Sequence, residues 1–117
     1  MQTKHFLHLL DAELASCSED LFDLEDLLKS RFETMEITHY VYMENDALLK
    51  REVAGVNRIR AHVQAIDPAS FTDADELATG IRQAARTIIA EYQLPEAVLA
   101  LVDRKIEAVR RFLAVAV

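Results

Sequence analysis

Four histidines, one cysteine and twenty carboxylates are the groups from which this chain could build chemistry. Glu36-x-x-His39 has the spacing of a dimetal ligand pair in a helical bundle, because residues three apart share a helix face. A carboxylate-bridged centre of that kind needs a second Glu-x-x-His and further glutamates, and no other histidine has a glutamate three residues before it. His5-x-x-His8-x-x-Asp11 could hold a divalent cation from one face, but helical register places both histidines outside the apolar seam described below, where single surface histidines are common. A phosphotransfer bundle needs an exposed histidine beside a basic residue and a glycine, whereas His39 is followed by Tyr-Val-Tyr and His62 by Val-Gln-Ala. Cys17 has no histidine in sequence reach, and an apolar setting raises a thiol pKa and disfavours a nucleophile. Neither a phosphate-cradling glycine loop nor a serine elbow nor a nucleotide fingerprint occurs. The expectation is a protein that is not an enzyme and uses no cofactor, metal or small-molecule substrate. The alternative reading is a metal-binding or phosphotransfer four-helix bundle using His5, His8, Glu36 or His39.

The elements that would position these groups are helices. Of 117 residues 51% are hydrophobic and 28% charged, with two glycines and two prolines, which is too apolar for disorder and too poor in turn-formers for a many-stranded β fold. Leu7, Leu10, Leu14, Cys17, Leu21, Leu24 and Leu28 alternate in three- and four-residue steps, a coiled-coil period that predicts a partner helix. No Gly or Pro interrupts residues 1–54, so the first boundary rests on a softer signal. Ser30 and Glu33 have capping-box spacing and predict a second helix starting there, where the seam also slips four residues to Phe32. A hairpin is expected over one stuttered helix, since about 65 residues would run about 95 Å with the seam stranded. Residues 37–43, Ile-Thr-His-Tyr-Val-Tyr-Met, prefer strand locally but have nothing to pair with, so helix is expected, with Asn45 and Asp46 marking a kink or restart.

Asp67-Pro68-Ala69-Ser70 reads as a turn, Thr72 as the cap of a helix from Asp73 to about Tyr92, and Pro95 as the first turn of the last helix. Leu77, Ile81, Ala84, Ile88 and Tyr92 form one stripe; Val98, Leu101, Val102, Lys105 or Ile106, Val109 and Leu113 form the other. The fold expected is an all-α antiparallel bundle of about four helices in one domain, 1–117, made of a long hairpin over 2–66 and a shorter pair over 73–115. Helices of about 29 and 36 residues would reach about 43 and 54 Å, against about 30 Å for the last two, so part of the hairpin should overhang. An exposed seam calls for a second copy, another protein or a fold-back, of which homodimerisation is the simplest. The apolar end, Phe112-Leu-Ala-Val-Ala-Val117, is expected to be the last turn of the fourth helix tucked into the core.

Charge is lopsided. Residues 1–46 hold eleven acidic side chains against Lys4, Lys29 and Arg31, while residues 47–117 hold nine acidic and ten basic. Seven carboxylates and no base lie between Asp11 and Asp26, which gives the first helix one leucine side and one acidic side. The acidic face is either a solvated surface or a dock for a basic partner. It argues against nucleic acid, even though Arg82–Lys105 could pass for a helix-turn-helix. No 18-residue apolar run and no signal-like N-terminus occur, and the lone cysteine suits a reducing compartment, so a cytoplasmic protein off the membrane is expected. Long acidic helices followed by shorter amphipathic ones make the chain similar to the small helical chaperones that escort flagellar or secretion-system subunits before export. That resemblance is one of architecture and charge, with no diagnostic motif, and it implies a chaperone or adaptor role. The function expected is binding of another protein, of a second copy, or of both. Leu7, Leu10, Leu14, Leu21, Leu24 and Leu28 would form the contact seam, and Glu19, Asp20 and Asp23 the charged face beside it.

Overall fold

With nothing in its first third to stop a helix, the chain runs unbroken through α1, Gln2–Glu33, 32 residues or about 48 Å. The structure, a computed structural model, describes residues 2–115 with their side chains and the backbone of 116. Three further α-helices follow: α2, His39–Ala65; α3, Ala74–Glu91; and α4, Glu96–Ala116. A single 3-10 turn, Pro68–Ser70, links α2 to α3, and no strand occurs among the described residues. The protein is all-α, a long hairpin packed against a shorter helix pair.

The hairpin turn lies later than the capping-box spacing predicts. Ser30 and Glu33 both sit inside α1, and the Ser30 carbonyl accepts the Thr34 amide. α1 ends because Met35 turns left-handed, at φ 63°. Its amide donates to the Phe32 carbonyl at 3.1 Å and that of Glu36 to the Arg31 carbonyl at 2.9 Å, the bond pair of a Schellman motif. Thr38 then starts α2, extended at φ −77° and ψ 162°, its hydroxyl oxygen accepting the Val41 amide. The two helices are therefore 32 and 27 residues long, rather than about 29 and 36. Residues 37–43 become the cap and opening turns of α2. Asn45 does not restart the helix; it donates to the Val41 carbonyl one turn back at 2.8 Å, and α2 continues through it.

The second pair follows its signals more closely. Asp67 accepts the Ala69 amide in the predicted turn. Asp73, one residue after the expected Thr72, caps α3 by accepting the Glu76 amide at 2.8 Å. Thr72, the residue before the cap, instead donates its amide and hydroxyl to the Glu76 carboxylate, which thus reaches back one residue further than in a capping box. α3 ends like α1, with Gln93 at φ 51° and the Leu94 amide on the Ile89 carbonyl at 3.0 Å.

The core gathers Phe6, Leu10, Leu14, Cys17 and Leu21 from α1, and Val53, Val56, Ile59 and Val63 from α2. α3 adds Leu77, Ala78, Ile81, Ala85 and Ile89; α4 adds Val98, Val102, Ile106, Val109 and Leu113. Ile106 rather than Lys105 takes the inward place on α4, and Lys105 pairs with Glu13 at 3.3 Å. The α3 stripe is rotated from the expected one, so Ala84 and Ile88 are only half-buried and Tyr92 is exposed. Gly55 lets α4 approach α2 closely: a Cβ there would lie 2.9 Å from the Val98 Cγ2 atom. Ion pairs bind the layers at their edges, Asp11 to Arg60 at 2.8 Å, and a row on α3 and α4 running Asp75, Arg110, Glu107, Arg82, Asp103.

Candidate functional site

The turn between α3 and α4 stops halfway along α2. There the Gln93 carbonyl accepts the Arg51 guanidinium, and the Arg58 guanidinium lies 3.7 Å from the centre of the Tyr92 ring. Past this point α1 and α2 continue alone, and the molecule extends over 53 × 31 × 18 Å. Its radius of gyration is 16.3 Å, against about 13 Å for a compact chain of this length. At the far end the two helices are fastened by an aromatic cluster, with Phe32 stacked on Tyr42 at 4.6 Å and tilted against His39 at 5.6 Å. The contacts that close the hairpin end are thus made between α1 and α2 themselves.

This overhang is where apolar surface meets solvent. Eight of the eleven exposed large hydrophobics fall between Phe22 and Leu48. Leu24, Leu27 and Leu28 on α1 and Leu48 and Leu49 on α2, with Arg31 and Asn45, line a groove of about 200 Å³ between the helices. Leu24 and Leu28 lie seven residues beyond the buried Cys17 and Leu21, and Leu48 seven before Gly55. Seven residues are two helical turns, so the groove floor is the core face of the hairpin carried past the end of its cover.

The predicted contact seam is accordingly divided. Leu10, Leu14 and Leu21 are covered by the chain's own helices and belong to the core, and Leu7 is half-buried against it. Phe6, fully buried, takes the inward place one step before Leu7. Of the six leucines, Leu24, which is 49% exposed, and the half-buried Leu28 remain on open surface. Leu49 lies on the weaker apolar seam that the sequence carries on past Phe32, but Leu27 and Leu48 escape the sequence reading; the i, i+3 step from Leu24 to Leu27 is the available signal on α1. Glu19, Asp20 and Asp23 are exposed. Of the seven carboxylates from Asp11 to Asp26, Asp11 and Glu13 have cationic partners, and the other five have no ion-pair partner among the described residues. Asp20 and Asp23 lie one turn before Leu24 and Leu27, so they flank the base of the groove, and Arg31 closes its far end.

The metal-ligand spacings of the sequence are not gathered into a site among the described residues. Among the described residues no group of three or more His, Cys, Asp or Glu side chains could hold a metal ion. Glu36 lies in the turn, accepting the Thr34 hydroxyl at 2.8 Å, so it does not share a helix face with His39. His5 and His8 are exposed, and Asp11 is committed to Arg60. Cys17 is 4% exposed, and burial pushes its thiol pKa up. No described helix is long and apolar enough to cross a membrane.

The chain was compared with protein-family models, curated proteins and solved structures, and none matches.

Proposed function

We propose that the protein is a non-catalytic binding or scaffold protein that engages a protein chain through the uncovered end of the α1–α2 hairpin. One observation carries this reading: Leu24, Leu28 and Leu48 continue the hairpin's core face past the last residue that covers it, and Leu27 borders the groove they form. Apolar burial at about 25 cal/mol per Å² would supply the affinity, in the manner of a helix laid into a groove. The carboxylates Glu19, Asp20 and Asp23, without ion-pair partners among the described residues, would orient the approach of cationic side chains on the partner's contact face and repel nucleic acid. A small cytoplasmic chaperone or adaptor is the role this arrangement suits, since such proteins shield apolar helices without chemistry.

The test is site-specific photo-crosslinking in cells, with a photoreactive phenylalanine analogue at Leu27 or Leu48 and, as control, at the exposed Gln64 near the opposite end of α2. Discrete adducts from the first two positions, lost on Leu24→Glu and absent from Gln64, are expected. Equal labelling at all three positions, or none, overturns the reading.

A further inference from the structure

We infer that the occupant of the groove is a second copy of this chain, the two hairpin ends pairing antiparallel about a two-fold axis near Leu27. The inference rests on the reading of the overhang as an interaction surface and specifies its partner.

Shape is the first argument. The groove opens on the side of the hairpin that α3 and α4 occupy further down, because Leu48 and the α4 contact at Gly55 share one face of α2. A two-fold axis along the hairpin would drive the two α3–α4 pairs into one another and hold the overhangs apart. An axis across the hairpin slides each overhang past the end of the other copy's α3–α4 pair, so groove meets groove and the four hairpin helices close a short bundle. That contact is isologous, each residue i meeting j while j meets i, and it closes at two copies.

Charge order is the second. On α1, Asp20 and Asp23 precede the groove leucines and Arg31 follows them. Reversing the helix against itself about Leu27 sets Asp23 of one copy level with Arg31 of the other, twice over, while Asp20 falls level with Thr34. The apolar stripe is thus flanked by charges that complement their own reversed copy, which a surface shaped for an unrelated partner has no need to do.

The test is sedimentation equilibrium of the full chain at low ionic strength for wild type, Asp23→Arg, Arg31→Asp and the double variant. Both positions are exposed, and circular dichroism checks that each variant stays helical. The wild type is expected to dimerise with concentration. Each single reversal should weaken the dimer roughly tenfold, because symmetry counts every change twice, and the double reversal should recover it. A wild type that stays monomeric to near-millimolar concentration, or a double variant no tighter than the singles, overturns the inference. If that monomer still yields crosslinks to another protein from Leu27 and Leu48, only the second copy is refuted. If it yields none, the interaction surface falls with it.

Discussion

At Met35 a straight-chain residue holds φ 63°, and at Gln93 another holds φ 51°. Both positions close a helix through amides that reach back three and five residues, a role glycine or asparagine more often fills. The left-handed conformation costs a residue with a Cβ about 1–2 kcal/mol. Met35 is 90% exposed and loses no packing on truncation. Met35→Gly should therefore raise unfolding free energy by about 0.5–1 kcal/mol after allowing for glycine's freer unfolded chain, read from the urea midpoint. An unchanged or lower midpoint would mean that the turn is not what ends α1. The same residue explains why the hairpin turn was misread. Ser30 and Glu33 carry side chains that can cap a helix, whereas Met35 is of a type that gives no sign of a turn. Asp67 and Asp73, where side chain and role coincide, were legible to within a residue. Gly55 was legible only as a residue tolerated inside a helix; its closeness to Val98 belongs to the packing of α4.

At the scale of elements the leucine seam of α1 is one pattern with two fates. Period alone cannot separate them, since both halves repeat in threes and fours; the separation comes from α3 and α4 being 18 and 21 residues long beside helices of 32 and 27. Leu14→Ala should cost about 2–5 kcal/mol, as a fully buried side chain whose loss leaves a cavity. Leu24→Ala, half-exposed, should cost under about 1 kcal/mol in dilute protein, both read by urea unfolding. Equal losses would contradict the division. The α3–α4 ion row makes a second prediction. Hydrogen bonds from Arg82 and then Arg110 hold the Glu107 carboxyl below the usual carboxylate range. A value lower in the folded than the unfolded state stabilises the fold above the unfolded pKa, about pH 4, and that contribution disappears as pH falls through the folded value. Glu76, lowered by the Thr72 hydroxyl and amide, acts in the same sense. Glu52 acts in the opposite one, because burial raises its pKa and its ionisation opposes folding at neutral pH. Stability should fall below about pH 4, and Glu107→Gln should flatten that acid limb in urea titrations across pH. An identical limb in the variant would remove the ion row from the account.

For the molecule as a whole, unequal helix lengths and unequal charge fall in the same place. The expected all-α bundle with an overhanging hairpin is what the chain builds, because composition, the Pro68 and Pro95 breaks and the α4 stripe agree with one another. The surface was less legible: two of the six seam leucines stay on open surface, and of the residues that complete it Leu27 is signalled by its i, i+3 step from Leu24, whereas Leu48 comes into view only when α2 is set beside α1. Five carboxylates of the Asp11–Asp26 run, without an ion-pair partner among the described residues, lie on α1 beside or just below this apolar end. On the proposed reading, this open core face beside an acidic flank is the surface through which the chain associates. Amide hydrogen exchange at low micromolar and at near-millimolar protein measures that directly, peptide by peptide. The account predicts slower exchange at the higher concentration over residues 24–33 and 41–50, with residues 56–65 and 98–113 unchanged. Protection confined to those two control stretches, or no difference at either concentration, would contradict self-association through the hairpin end.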